Sequence, residues 1–292
     1  MPELRWTVPE EMDGKLVRQA AMGGMSLSYG LFKRAKFHGR VELDGVSVRA
    51  DEKVRAGQTL CIFIPEKENT LPEKTDLPLV VVYEDEHLMM VDKPAPLPSA
   101  SSPKKEQPTL ENAVYNYLGC PGDFVYRPVN RLDKGTSGLM MVAKTAYGQQ
   151  LMQKLLHTDG FVREYLAVTE GIMKEKSGVI DLPIAKAEGA TVKRQVALDG
   201  KPARTHFRVL EERGGRSIIR LRLETGRTHQ IRVHLSAMGC PICGDFLYGT
   251  ELEALPGRFA LHSTLCRFLH PLTGEWVERE SPLPGALCAI VK

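Results

Sequence analysis

The segment Asn130 to Thr145, NRLDKGTSGLMMVAKT, holds one carboxylate, Asp133, between two cations, Arg131 and Lys134. Thr136, Ser137 and Gly138 follow, then an apolar run, Leu139 to Ala143, with the composition of a short strand. A polar, glycine-containing turn at the mouth of a strand can hold a reactive side chain in the open. A solvated loop has no use for a lone acid between cations. A catalytic carboxylate does, because a neighbouring positive charge favours its ionised form.

Two further stretches carry side chains that could work with it. REYLAV places Tyr165 thirty-two positions after Asp133, and LETGRTHQIRVHLSAMGCPICGDFLYG supplies Arg227, His229, Gln230, Arg232 and His234 within twenty-seven residues. Strand-end loops and a helix start would hold these groups, so that they converge on a cleft. Two other chemistries fit poorly. Cys240 and Cys243 form a CxxC pair with neither a second pair nor histidines at metal spacing, and with no thioredoxin-like context. DKGTSG lacks the spacing and the Gly-Lys-Ser/Thr ending of a phosphate-cradling loop. The remaining histidines, His234, His262 and His270, read as structural.

The elements that must position these residues follow from pattern. A chain of 292 residues suggests about two domains. Its 42% apolar and 26% charged content is that of a globular protein, and a net charge of +3 means any basic footprint is local. No apolar run approaches a membrane span and the acidic N-terminus is no signal peptide, so no membrane partner is expected. Six scattered cysteines suit reduced thiols, and a cytoplasmic location is the expectation. IPEKENTLPEKTDLP, with its prolines and charges, reads as a linker over 65–78 between a head, 1–64, and a body, 79–292.

In the head, Ser26 or Ser28 can cap a short helix running through Phe37, with Gly39 at its end. VELDGVSV alternates about Asp44-Gly45 as a hairpin, and TLCIFI closes the unit as a strand. Lys33, Arg34, Lys36 and Arg40 form an acid-free basic run that suits a phosphate backbone, or equally a solvated helix face.

In the body, LPLVVVYEDEHLMMVDKP predicts a strand pair, and AYGQQLMQKLLHTDG carries a helical apolar stripe. REYLAVTEG and SIIRLRLETG alternate as half-buried strands. THQIRVHLSAMG predicts a helix capped by Thr228 and ended by Gly239. Many strands with few helices between them indicate an α+β fold with a mixed, largely antiparallel sheet.

Taken in order, NRLDKGTSGLMMVAKT, REYLAV, DGKPARTHFRVL, LETGRTHQIRVHLSAMGCPICGDFLYG and LHSTLCRFLHPLTG resemble the successive motifs of the RluA family of pseudouridine synthases, from about Leu79 to Pro284. Residues 14–64 resemble the small α+β RNA-binding domain named after ribosomal small-subunit protein S-four, which commonly precedes such a body. The resemblance implies isomerisation of uridine in RNA to pseudouridine, with large-subunit ribosomal RNA first and transfer RNA second as targets. It implies no metal, nucleotide or redox cofactor and no obligate protein partner.

It also implies that Asp133 is the catalytic carboxylate, held by the planar fork of Arg232, and that Tyr165 stacks on the uracil. Arg131 matches the position that can fill the gap left by a flipped base. Arg227 and His229 match phosphate or pocket contacts, with Asn130 and Thr136 beside them. Two positions depart from the pattern. Asn130 replaces a histidine, and the pocket-wall leucine after the His of LHSTLCRF falls at Cys266, with Leu265 adjacent. The competing reading is a non-catalytic RNA-binding protein that keeps the same fold.

Overall fold

A computed structural model describes residues 3–66, 70–102, 107–156 and 158–291. The head opens with a strand, β1 (Leu4–Thr7), and a short helix, α1 (Val17–Gln19), neither of which the sequence patterns announce. The basic helix follows as α2 (Tyr29–His38), where Ser28 Oγ accepts the Leu31 N–H at 3.3 Å and so fills the cap. The expected hairpin is β2 (Arg40–Leu43) and β3 (Val46–Ser47), and β4 (Thr59–Phe63) closes the sheet. Asp44 and Gly45 both take positive φ, as a tight two-residue turn requires. The sheet order is β1-β4-β2-β3.

The head is docked by its core. Leu27, Phe32, Leu60 and Ile62 share one buried cluster with Tyr147 and Leu151 of the body helix α4 (Ala146–Leu155). Polar groups then fix the register. Tyr147 Oη donates to Met25 O at 2.6 Å, and Gln150 both donates to Ser26 O and accepts from Ser28 N. The expected linker has no helix or strand among its described residues, but its start is pinned. The Glu66 carboxylate is buried against Arg127 and lies 3.9 Å from Arg34. Arg34 thus turns inward rather than joining an outward basic run.

The body is built on one large sheet. Its strands are β5 (Val80–Glu84), β6 (Leu88–Lys93), β7 (Ser137–Ala143), β8 (Phe161–Glu170), β9 (Ser177–Asp181), β12 (Arg204–Arg213), β13 (Arg216–Leu223), β14 (Leu261–Leu269) and β15 (Trp276–Glu280). They run in the order β5-β6-β7-β14-β8-β13-β12-β9, with β15 pairing on β14. Among the described residues only β7 and β14 pair in parallel, so the sheet is mixed and largely antiparallel, as its patterning indicates. A separate arm, β10 (Ile184–Lys186) with β11 (Arg194–Val196), stands off this sheet.

Alternation in β6 and β7 feeds two apolar layers. Met89, Val91, Met140 and Val142 pack with Leu110 and Val114 of α3 (Leu110–Tyr117), whereas Leu88, Met90, Leu139 and Met141 pack with Met152 of α4. β13 alternates as expected. β8 alternates from Arg163 to Ala167 and then breaks step, with Ala167, Val168 and Thr169 all buried.

The helix α5 (Gln230–Ala237) starts differently from expectation. Its cap is His229, in the left-handed region at φ +59°, and Thr228 is not the cap. The Gln230 side chain overrides the threonine signal. Its Oε1 accepts the Arg227 N–H at 2.9 Å and the Thr225 hydroxyl at 2.8 Å, while Nε2 donates to Arg204 O and Thr205 Oγ1. That folded-back turn leaves the His229 ring facing the mouth of β7.

Candidate active site

Asp133 sits on the turn entering β7, and its side chain is 29% exposed, open enough to be reached. The turn is laced from several sides. Asn130 Oδ1 accepts the Met141 N–H at 2.9 Å, Ser99 Oγ donates to Leu132 O at 2.5 Å, and Leu97 N donates to Lys134 O at 3.0 Å. Asn130, expected beside the substrate, is buried and bonded to the strand, so it anchors the loop. An amide can make that bond without the histidine found in the family pattern.

The glycines of DKGTSG are explained by close approach. A Cβ on Gly135 would lie 2.7 Å from the Phe259 ring, and one on Gly138 would lie 2.2 Å from Ser263 O, at a φ of +104°. Only glycine fits either place. Phe259, admitted under the loop in this way, lies 4.2 Å from the Arg232 guanidinium carbon and forms part of its bed.

Arg232 extends from α5 and is buried. Its Nη1 donates to Asp133 Oδ2 at 3.0 Å, while Nε and Nη2 donate to the two oxygens of Asp245 at 2.7 Å each. The two-pronged contact expected on Asp133 is therefore made to Asp245. Asp245 is fully buried and also accepts the backbone N–H groups of Leu247 and Tyr248. Burial opposes the charge on Arg232, but the Asp245 hydrogen bonds and the two carboxylate charges outweigh it, so its pKa is raised.

His229 brings Nε2 to 3.8 Å from Asp133 Oδ2 and Nδ1 to 2.8 Å from Tyr248 Oη. Burial lowers its pKa against the pull of Asp133, which keeps the ring neutral near pH 7. The Arg194 N–H donates to the Tyr248 oxygen at 2.8 Å. The Tyr248 proton is then free for His229 Nδ1, which directs Nε2–H towards Asp133. Tyr165 is buried with its ring in the same cleft, and burial raises its pKa, so the phenol is neutral.

The cleft is small, about 70 Å³, and its wall includes Arg131, Asp133, Thr136, Tyr165, Arg232 and Leu261. Arg227 lies at its edge, with Nε donating to Pro202 O at 2.9 Å. Leu265 is not in this wall, contrary to the expectation from sequence. A bulge between Ser263 and Leu265 sets Ser263 opposite Tyr165 and Leu265 opposite Glu164, and strand alternation turns Leu265 away from the tyrosine ring. Cys266 packs with Phe161 and Phe268 in the second apolar layer. Leu261, four residues upstream of Leu265, supplies the apolar wall.

Lys33, Arg34, Lys36 and Arg40 lie on the head, outside the cleft. Lys33 and Lys36 are exposed, whereas Arg40 pairs with Glu3 at 3.5 Å over the Phe63 ring. The residues missed from sequence are Asp245, Phe259 and Lys93, all buried, and the half-buried Tyr248. Lys93 is fully buried, its Nζ donating to Pro94 O at 3.0 Å and Leu97 O at 2.8 Å behind the turn that carries Asp133. Burial brings its pKa down to about 7, against the charge of Asp133. Among the described residues no cluster of side chains has the makings of a metal site, and no helix is long and apolar enough to cross a membrane.

Residues 87–237 match the family described as RNA pseudouridylate synthase. The uncharacterised RNA pseudouridine synthase YjbO of Bacillus subtilis is 34% identical over 92% of this chain and 96% of its own length. Ribosomal large subunit pseudouridine synthase D of Haemophilus influenzae is 39% identical over 80% of this chain and 76% of its own. Among solved structures, human RNA pseudouridylate synthase domain containing 1 superposes with a TM-score of 0.58 at 28% identity, covering 73% of this chain and 86% of that one.

Proposed function

The chain belongs to the RluA family and is an RNA pseudouridine synthase, and from that premise we propose that Asp133 is its catalytic carboxylate, acting on a uridine of large-subunit ribosomal RNA. The observation that supports this is the single carboxylate that lines the cleft. Its Oδ2 lies 3.0 Å from Arg232 Nη1, with the Tyr165 ring in the same wall.

The reaction cleaves the N1–C1′ bond, turns the uracil while it is held, and joins C5 to C1′, with the C5 proton lost and one gained at N1. Positive charge grows on the sugar as the first bond stretches, and an adjacent carboxylate stabilises it. Attack at C1′ and proton removal from C2′ both use the same carboxylate oxygen. Arg232 holds that oxygen in place by a charge-assisted hydrogen bond. A neutral Tyr165 offers a flat apolar face for the uracil. A stacked uridine has to leave its helix to reach so small a cleft. Exposed Arg131 stands at the rim, where it can occupy the vacated position.

The head, 1–64, is the RNA-binding unit in this reading. Lys33 and Lys36 project from α2 beside the exposed rings of Tyr29 and Phe37, a surface that suits phosphate and unpaired bases. The name of the Haemophilus influenzae relative supports the ribosomal large subunit as target. The experiment is to incubate large-subunit and transfer RNA transcripts with the protein and map pseudouridine. Wild type is expected to modify the ribosomal RNA, while Asp133→Asn yields none and melts within a few degrees of wild type. An unmodified ribosomal transcript sinks the target assignment, and an active Asp133→Asn variant sinks the role of the acid.

A further inference from the structure

Beside the catalytic cleft lies a second, larger concavity of about 530 Å³, formed where the β10–β11 arm meets the turn at 197–201 and the loop before α5. Lys186, Arg194, Lys201 and Arg227 line it, against the single acid Asp199. Arg227 belongs to the walls of both cavities, so the two are contiguous. Lys193 adds a further exposed cation at the tip of the arm, 5.9 Å from the Tyr248 ring.

Among the described residues none of the four lining cations pairs with a carboxylate, although Arg194 donates to Val192 O and Lys193 O and Arg227 to Pro202 O. Arg204, on the neighbouring strand, pairs with Asp181 and Glu224 at 3.0 Å each. Among the described residues no carboxylate pairs with Lys186, Lys193 or Lys201, and all three are exposed. The backbone beneath them is firmly held. Ile184 and Lys201 exchange both main-chain hydrogen bonds at 2.9 Å, and Gly200 N donates to Ala197 O. A Cβ on Gly200 would lie 2.7 Å from the Ile184 backbone, so the turn is pressed against the arm. Exposed cations on a rigid base, one step from a cleft that receives a nucleotide, suit a chain of phosphates.

We infer that this concavity binds the phosphodiester backbone of the RNA strand flanking the target uridine, through Lys186, Lys201 and Arg194, with Arg227 at the junction. The inference rests on the pseudouridine synthase reading and adds a second RNA contact, separate from the one proposed for the head. Its energy is Coulombic and sequence-independent, so it sets how tightly the strand is held and leaves the choice of uridine to other contacts.

The test is a steady-state pseudouridine assay on a large-subunit ribosomal RNA transcript, run at several salt concentrations. Lys186→Ala with Lys201→Ala is compared with wild type and with Lys174→Ala/Arg213→Ala, which removes two exposed cations outside both cavities. The expected result is a KM raised about tenfold at low salt, a saturating rate within about threefold, and a salt slope shallower by about one for each lysine that touches a phosphate. Lys201→Glu is to raise KM further, and serves if the double variant melts early. The inference is overturned if Lys201→Glu and the double variant keep the wild-type KM and salt slope, or if the control pair weakens binding as much. A wild type that forms no pseudouridine on this transcript refutes the ribosomal target assignment, which is a distinct outcome.

Discussion

Asp245 takes the two-pronged side of Arg232, through Nε and Nη2 at 2.7 Å each, and leaves Nη1 for Asp133 at 3.0 Å. The guanidinium is therefore aimed by a carboxylate that no solvent reaches and presented to one that solvent does reach. Removing the hidden partner leaves a buried charge uncompensated. Asp245→Asn is expected to destabilise the fold by about 3–5 kcal/mol, whereas Asp133→Asn, at a part-exposed pair, costs about 1 kcal/mol or less. Urea titrations of both variants read the difference. Equal costs would mean that Asp245 does not carry the orientation of Arg232.

Tyr248 joins the β10–β11 arm to the surroundings of Asp133, since its hydroxyl meets Arg194 N on one side and His229 Nδ1 on the other. Its ring also lies 4.9 Å from the Arg232 guanidinium carbon. Tyr248→Phe keeps the ring and loses the hydroxyl. The expected cost in stability is about 1 kcal/mol, with a fall in kcat of about tenfold as His229 loses its fixed tautomer. A kcat unchanged in this variant would release His229 from any part in holding Asp133.

The local elements, and the residues that meet in the cleft, were legible in sequence, because each carries its own signal. Ser28 is a cap, Asp44-Gly45 is a turn, and Asp133, Tyr165 and Arg232 lie in motifs with ordered spacing. What was not legible depends on pairs distant in the chain. Asp245 and Lys93 are ordinary charged residues until the fold buries them, and burial is a tertiary property. The His229 cap follows from the reach of Gln230 to β12, twenty-five residues away, which outweighs the local preference for Thr228. The head's basic run divides because Arg34 turns inward, to 3.9 Å from Glu66 outside the helix.

Leu265 illustrates the same limit and supplies a test. The family pattern puts a leucine of this strand against the pocket, but the bulge after Ser263 reverses the face of Leu265, and Leu261 forms the wall instead. Leu261→Met, which keeps the volume, and Leu261→Ala, which does not, separate packing from function. Leu261→Ala is expected to lower kcat/KM by about tenfold or more and to cost about 2–5 kcal/mol. Leu265→Ala is expected to leave kcat/KM within about twofold, since it touches no reacting group. A larger effect at Leu265 than at Leu261 would contradict the observed register.

Lys93 gives the fold a pH dependence of definite sign. Burial takes its pKa from the ordinary 10.5 to about 7 in the folded protein, while the unfolded chain keeps the ordinary value. Between those limits the unfolded chain binds a proton that the folded one does not, so unfolding becomes harder as pH rises from 7 to 10.5. Above 10.5 both states are neutral and the contribution is fully present. As pH falls through 7 it is lost, because the folded protein must then hold an ammonium with only Pro94 O and Leu97 O as acceptors. Lys93→Met removes this term. Urea titrations at steps from pH 7 to 10 are expected to show wild type gaining on the variant by up to about 1.4 kcal/mol per pH unit. Parallel stability curves for the two proteins would mean that Lys93 stays charged in its cavity and that the turn carrying Asp133 is supported by a buried ion.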